Sequence, residues 1–381
     1  MNVLMWVTAA CAVVWVYLTF GHGMFWSTET RLPPAAPPRT WPSVGIVVPA
    51  RDEEAVLGTT LPTLLAQDYP GPAGVVLVDD NSTDRTAEIA ARVSERPGLP
   101  LLVSRPGEPP EGWAGKMWAL KHGVETAGEV DYYLFTDADI AHAPGSLHSL
   151  VAAVGDRDMV SQMARLRTST RWEKLVIPAF VYFFAQLYPF ARIARRGSRT
   201  AAAAGGCTLI RAGALARVGG IAAIHDATID DVALARAVKR SGGRIWLGLA
   251  DHVRSVRPYP VLADLWHMIA RSAYTQLRFS PALLVGTLLG LAFVYLLPPA
   301  ALVAGLATGD LRTAGEAFVA WGLMTLTYLP MVRYYRLGAL WAFLLPLAAL
   351  LYFLMTADSA RRHHRGAGAS WKGRTYAPGA R

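Results

Sequence analysis

The sequence predicts an α/β domain on a mainly parallel sheet, tied to a membrane by apolar helices at both ends. Three observations carry this reading. Short β-branched runs alternate with helical stretches from Val44 to about Ser280, the pattern of βαβ units. The first twenty residues, Met1 to Phe20, hold no charged side chain, which matches one bilayer crossing. The C-terminal third then returns to the same apolar composition. Over all 381 residues the chain is 53% hydrophobic and 17% charged, against about 25% charge in soluble domains.

Taken in order, the N-terminal run reads as an uncleaved anchor over 1–20. A cleaved signal peptide is the alternative, but it calls for a basic n-region, and no Lys or Arg precedes the apolar stretch. Residues 21–40 form a linker containing Pro33-Pro34-Ala35-Ala36-Pro37-Pro38, a stiff extended spacer. The α/β domain occupies 41–280. Its strands are expected at Val44–Val48, Gly74–Val78, Leu101–Ser104 and Tyr132–Thr136. Helices are expected at about Glu53–Ala66, interrupted or bent at Pro62, and at Thr83–Val93.

Leu175–Ala194 is apolar and aromatic but contains Pro178, Gln186 and Pro189 between basic edges. A span there would split the domain across the bilayer, so an interfacial element is the better fit, with a buried core element as the alternative. The C-terminal membrane region covers 281–356, with candidate crossings at Ala282–Ala307, Ala317–Val332 and Leu340–Met355. Pro298-Pro299 is expected to break the first of these. A basic tail fills 357–381. Positive charge marks the cytoplasmic side, which favours a cytoplasmic tail; three simple crossings after a cytoplasmic domain would leave it outside, and the crossing number stays open.

Composition also excludes classes. Two cysteines, Cys11 and Cys207, rule out a disulfide framework and a cysteine-built zinc site. The net charge of +9, in so hydrophobic a chain, faces anionic lipid or phosphate, and no nucleic-acid partner is expected. No Gly-x-Gly-x-x-Gly follows the first strand, and no Gly-x-Ser-x-Gly elbow is present, which argues against a dinucleotide oxidoreductase and an α/β-hydrolase.

Ligands of such sheets sit beyond the carboxyl ends of the strands, and four turns there carry acids. Pro49-Ala50-Arg51-Asp52-Glu53-Glu54 reads either as a helix N-terminus with favourable acids or as part of a site. Asp79-Asp80-Asn81-Ser82-Thr83-Asp84 offers Ser82 or Thr83 as a helix cap. Its adjacent carboxylates, however, repel unless a ligand or donor separates them. Asp137-Ala138-Asp139 places two carboxylates on one side of an extended turn, suited to Mg²⁺ or Mn²⁺ held with substrate phosphates. Asp230-Asp231 opens a helix; capping needs one acid, and a second near an acceptor is placed to take its proton. Lys116, in Gly112-Trp113-Ala114-Gly115-Lys116, reads as an exposed lysine or a phosphate contact, and is not part of a P-loop. His363-His364 reads as part of a solvated or lipid-facing basic run.

Together these turns resemble the inverting GT-A glycosyltransferases of family 2. Trp113 to Leu120, Gly205-Gly206-Cys207 and Trp371-Lys372-Gly373-Arg374 are most similar to the hopene-associated, membrane-bound branch, which is related to ceramide glucosyltransferases. The resemblance implies a nucleotide-sugar donor, a membrane lipid acceptor, and a multi-pass protein of the inner membrane with its catalytic domain cytoplasmic. It implies that Pro49, Ala50, Arg51, Glu53, Asp79, Asp80, Lys116 and Asp137 line the nucleotide-sugar site. Asp137 and Asp139 would hold the Mg²⁺ or Mn²⁺, and Asp231, with Asp230 beside it, would be the general base. Relatives that make polymers carry Gln/Arg-x-x-Arg-Trp after the base; here Arg271, Gln276 and Arg278 stand in that region without the Trp, which puts long-polymer synthesis in doubt. Those three, with Trp371 and Arg374, are the acceptor or diphosphate candidates. Two alternatives stay open: a polyisoprenyl-phosphate glycosyltransferase, whose acceptor needs no strong base, and a non-catalytic scaffold.

Overall fold

The computed structural model describes residues 3–365, 370–371 and 374–375. Its contacts divide the described chain into two compact units, one formed by 29–167 and 193–258, the other by 3–28, 168–192 and 259–365. The expected 41–280 domain is thus shared: 168–192 and 259–280 pack with the terminal helices.

The first unit is an eight-stranded sheet. Its strands are β1 (Val44–Ala50), β2 (Ala73–Asp79), β3 (Leu101–Ser104), β4 (Tyr132–Phe135), β5 (Ile140–His142), β6 (Met159–Arg165), β7 (Thr208–Arg211) and β8 (Ile245–Ser255). They lie in the order β3-β2-β1-β4-β7-β6-β8-β5. Only β7 and β5 run against the rest. Every residue of β1 and β4 is buried, which is why both read as unbroken apolar runs: a parallel strand must be covered on both faces. Leu57, Leu61 and Leu64 of the helix Glu54–Leu65 join Ile46, Val48, Leu77 and Leu134 in that core. This helix runs through Pro62 rather than stopping there. On Gly115–Ala127, Gly123 faces the sheet so closely that a Cβ would lie 2.3 Å from Val47 Cγ1. A glycine mid-helix costs up to about 1 kcal/mol in propensity, and here close packing requires it. Part of the Pro-rich linker is also fixed, since Thr30 accepts the Leu249 N–H and Arg31 pairs with Asp251.

The second unit is helical. Four of its segments, Val3–Phe20, Arg171–Ile193, Pro281–Thr308 and Ala339–His364, are long and apolar enough to cross a membrane. The third and fourth contain two of the expected C-terminal crossings. The second is the stretch read from sequence as interfacial. The remaining expected crossing lies in Leu311–Tyr334, a 24-residue helix that is not among these four and that carries Arg312, Glu316 and Arg333.

Pro298-Pro299 does not break its segment. A π-turn at Ala292–Leu296 precedes it, and the helix continues to Thr308. The Leu297 N–H reaches back to the Ala292 carbonyl, which strands the Phe293 carbonyl, while Pro298 has no N–H for Val294. Helix Val3–Phe20 satisfies both: Trp15 Nε1 donates to the Val294 carbonyl at 2.8 Å and the Cys11 thiol to Phe293 at 3.1 Å. In hydrocarbon such repair is obligatory. The helix Arg171–Leu187 opens with a capping box of Thr170 and Glu173. The buried Glu173 carboxylate also accepts the backbone N–H groups of Ser169 and Tyr259, joining the two points where chain from the sheet unit enters this one.

Candidate active site

Six strands point the same way, so one rim of the sheet collects the ends of β1, β2, β3, β4, β6 and β8, together with the start of β7. The first two acidic turns interlock there. Asp52 and Asn81 both adopt left-handed backbone, φ 50° and 52°, a conformation that Asp and Asn tolerate best. Asp52 Oδ1 accepts from the Thr83 N–H at 2.8 Å and its hydroxyl at 3.2 Å, and Ser82 Oγ accepts from the Asp52 N–H. Ser82 and Thr83 are therefore spent on the neighbouring turn and do not cap the next helix. That helix starts later than expected, at Thr86, where Asp84 accepts the Thr86 N–H.

Asp79 and Asp80 are fully buried. Their repulsion is relieved by donors: Arg105 Nε lies 3.0 Å from Asp79 Oδ2, and Arg51 Nη1 lies 3.6 Å from Asp80 Oδ2 and donates to the Asp80 carbonyl at 2.6 Å. Glu53 is also buried, with both carboxylate oxygens 2.7–2.8 Å from Arg257 Nη2. Pro49 and Ala50 end β1 beneath this arrangement.

The third acidic turn is held on every side. The Ala138 carbonyl accepts from Thr60 Oγ1 and the Asp139 carbonyl from the Val256 N–H. Thr136 donates to the Gly206 carbonyl and meets His142, which contacts Ser146. Burial lowers the His142 pKa from 6.5 to about 4, so this network is built around a neutral imidazole. Asp139 Oδ2 accepts from Ser255 Oγ at 2.6 Å and lies 3.3 Å from Arg257 Nε.

Asp137 faces a different group. Lys116 Nζ, at the start of Gly115–Ala127, lies 2.8 Å from Asp137 Oδ1 and 3.0 Å from Asp230 Oδ2. Burial works against the ammonium, but the two carboxylates outweigh it and hold the Lys116 pKa above the ordinary lysine value. The expectation of an exposed lysine fails, since its side chain is only 16% accessible. Asp231, half-buried beside Asp230, accepts from the Gly205 N–H at 2.9 Å and its own helix's Val232 N–H at 2.7 Å. Desolvation and the adjacent Asp230 raise its pKa to about 7, against the opposing pull of Lys116 and the two N–H groups. Gly205 sits among these groups; a Cβ there would stand 3.3 Å from Lys116 Nζ, 3.6 Å from Asp137 Oδ2 and 3.8 Å from Asp231 Oδ2. The gap between Pro49, Lys116, Thr136, Asp137, Gly205 and Asp231 is about 20 Å³, room for one water.

The donor set suits a hard divalent cation completed by substrate. Among the described residues no three His, Cys, Asp or Glu side chains converge, so these side chains alone form no metal cage there. Mg²⁺ and Mn²⁺ in phosphate chemistry need only one or two carboxylates, and the Asp137 carboxylate is 35% accessible. A cation, the Lys116 ammonium, already lies against it.

Sequence reasoning missed Arg105, Ser255 and Arg257. Each stands at or just beyond a strand's carboxyl end, the place that it singled out, but β8 was not assigned as a strand. Arg271, Gln276 and Arg278 belong to the helical unit, where Gln276 Nε2 donates to the Tyr188 hydroxyl and Arg278 adopts φ 53°. The side chains of Trp371 and Arg374 lie outside the described residues.

Comparison with known proteins agrees with this architecture. The model of the family described as Glycosyl transferase family 21 matches residues 4–377. A β-monoglucosyldiacylglycerol synthase of Synechocystis is 38% identical over 103 residues, 26% of this chain and 21% of the relative. An N-acetylglucosaminyltransferase of Mesorhizobium japonicum is 29% identical over 157 residues, 39% of this chain and 35% of the relative. The chain thus spans about a fifth to a third of the length of these curated relatives. A mannosyltransferase from Pyrobaculum calidifontis, solved with GDP-mannose and Mn²⁺, superposes with a TM-score of 0.55 at 23% identity, covering 91% of this chain and 99% of that one. At that identity the likeness is one of fold.

Proposed function

The chain belongs to glycosyltransferase family 21, and from that premise we propose that it moves a sugar from a UDP-linked donor to the hydroxyl of a membrane lipid, a hopanoid or a similar hydroxylated lipid, with inversion. The observation that carries this reading is Asp231, a carboxylate with its pKa near neutrality, held by two backbone N–H groups beside the Lys116–Asp137 pair. A base poised there is matched to deprotonating an alcohol at neutral pH. A phosphate acceptor, already anionic, would need no such group.

In this reading Arg51, Glu53, Asp79 and Asp80 shape the nucleoside pocket with Pro49 and Ala50, Lys116 contacts the diphosphate, and Asp137 and Asp139 hold Mg²⁺ or Mn²⁺. The cation supplies charge neutralisation of the leaving diphosphate. Asp231 takes the acceptor proton while Gly205 keeps the carboxylate oriented. Arg271, Gln276, Arg278, Trp371 and Arg374 remain the acceptor-side candidates. The Synechocystis relative, named for a diacylglycerol lipid, supports a lipid acceptor.

We place the sheet unit on the cytoplasmic face of the inner membrane. β6 and β7 are hydrogen-bonded in one sheet, so the segment between them, Arg171–Ile193 included, starts and ends on one side and makes no net crossing. Asp358 accepts from Trp266 Nε1 and His363 stacks on Phe279, so the last helix ends beside the start of Pro281–Thr308. That supports an even number of crossings between them and a cytoplasmic tail, as its basic charge favours.

The test is thermal stabilisation of the detergent-purified protein by UDP, GDP, CMP and dTDP, each with and without Mn²⁺. Ligand at a hundred times its dissociation constant adds about 2.7 kcal/mol. A Mn²⁺-dependent shift with UDP is expected; a shift with another nucleotide alone would replace the donor, and none with any would remove the transferase reading of this site.

A further inference from the structure

Arg257 and Ser255 lie outside the acidic turns, yet every described contact of the Asp139 carboxylate is made with them. They stand at the end of β8, more than a hundred residues from Asp139 in the chain. Ser255 Oγ donates to Asp139 Oδ2 at 2.6 Å, and Arg257 Nε approaches the same oxygen at 3.3 Å. Between them the Val256 N–H donates to the Asp139 carbonyl at 2.9 Å, and the Arg257 N–H donates to Ser255 Oγ at 3.2 Å. The other end of the guanidinium is anchored, with Nη2 between both oxygens of buried Glu53. Glu53 is itself fixed through its N–H to Thr86 Oγ1 at 2.7 Å. The tripeptide Ser255-Val256-Arg257 therefore grips Asp139 by backbone and side chain and ties it to the turn after β1.

We propose that Ser255 and Arg257 are positioning residues for the divalent cation: they lock the Asp139 carboxylate in the orientation that binds metal and couple that orientation to Glu53. The proposal rests on the reading of Asp137 and Asp139 as cation ligands. Its physical content is a matter of sign. If Arg257 acted on the metal only through its charge, removing that charge would strengthen cation binding, since a guanidinium repels Mn²⁺. If it acts by orienting Asp139, removing it weakens binding, as loss of partners that orient a ligand generally does, by about 10–100-fold. Lysine keeps the charge but, as a single ammonium, cannot reach Asp139 through one nitrogen and Glu53 through another.

The experiment is a titration of the full-length, detergent-purified protein with Mn²⁺, followed by the electron paramagnetic resonance signal of the free ion. It is run with and without the nucleotide that stabilises the protein, and no sugar transfer is needed. Arg257→Lys and Arg257→Gln are each expected to weaken Mn²⁺ binding by about tenfold or more. Ser255→Ala, which leaves the buried ion pair with Glu53 in place, is expected to weaken it in the same direction and keeps the test open if the arginine variants do not fold. Binding that is unchanged or tighter in Arg257→Gln and unchanged in Ser255→Ala overturns this proposal while leaving the transferase reading intact. A wild-type protein that binds no Mn²⁺ under either condition overturns both this proposal and the assignment of Asp137 and Asp139.

Discussion

Asp231→Asn is the substitution that separates chemistry from binding at this site. Asparagine keeps the shape of the side chain, and its one carbonyl oxygen can still accept from either Gly205 N–H or Val232 N–H, which the carboxylate bonds together. Lys116 keeps Asp137 and Asp230 within 3.0 Å, so the groups assigned to the diphosphate are undisturbed. Nucleotide affinity should therefore stay within a few-fold of wild type. What is lost is the proton acceptor, and general-base catalysis is worth about 10²–10⁴ in rate. The pH profile carries the second half of the test. With the Asp231 pKa raised to about 7 by burial and by Asp230, the ionised form falls about tenfold for each pH unit below 7. The acid limb of kcat/KM should bend near that pH, as a property of the Asp230–Asp231 pair. The assay is UDP release by the purified protein with a lipid acceptor, between pH 5.5 and 8.5. Turnover within tenfold of wild type in the variant, or an acid limb near pH 7 that survives the substitution, would refute Asp231 as the base and favour an acceptor that is already anionic.

Four further outcomes are expected. His142 has its pKa depressed from 6.5 to about 4, so the unfolded chain binds the proton first; stability should be full above pH 6.5 and fall by about 3 kcal/mol as pH drops to 4. Denaturant melts of wild type and His142→Gln compared at pH 7 and pH 5 check the sign, since only wild type should lose the part that falls in that interval, about 2 kcal/mol. Gly123→Ala puts a Cβ 2.3 Å from Val47 Cγ1 and should cost about 1–3 kcal/mol, read in the same melts. Trp15→Phe strands the Val294 carbonyl that Trp15 Nε1 now satisfies; a thermal melt in detergent should show a loss of about 1 kcal/mol. Gly205→Ala sets a Cβ 3.3 Å from Lys116 Nζ, so Lys116 must give by a few tenths of an ångström against its two carboxylates; UDP affinity measured by thermal shift should weaken while the melting temperature of the ligand-free protein stays close to wild type.

The parts of this molecule legible in its sequence are those specified by neighbours along the chain. β1 and β4 read as strands because all their residues are apolar and buried on two faces. The first three acidic turns were found because each is a local cluster directly after a strand, and Asp230-Asp231 because paired acids open a helix. What stayed hidden are pairings made across the chain. Glu53 and Arg257 stand 204 residues apart, and no local pattern in Arg-Ser-Val-Arg-Pro distinguishes one arginine from the other. The same holds in the helical unit. Pro298-Pro299 predicts a break from its own geometry, and the Val294 carbonyl that Pro298 leaves open is satisfied by Trp15, 279 residues before Val294, on a helix that sequence reads only as an anchor.

These hidden pairings change the chemistry that the visible motif implies. Read as a motif, Asp137-Ala138-Asp139 is a pair of equivalent carboxylates awaiting one cation. In the fold they are not equivalent. Asp137 shares Lys116 with Asp230, in the group that contains Asp231, whereas Asp139 shares Arg257 with Glu53, beside the turns assigned to the nucleoside. Each acid is thus matched by a cation that also holds a second acid, and a divalent ion taken up in the proposed reading would meet Lys116 on the Asp137 side and a carboxylate already oriented by Arg257 on the Asp139 side. The two protein cations differ in kind. Lys116 is a flexible point charge that can follow a phosphate as it enters. Arg257 is fixed at its far end by buried Glu53 and cannot leave without exposing that carboxylate to an uncompensated burial. In the proposed reading it is therefore Lys116 that would yield Asp137 to a cation while Arg257 would keep Asp139 oriented, and that asymmetry is what the opposite signs expected for charge and for orientation at Arg257 would reveal.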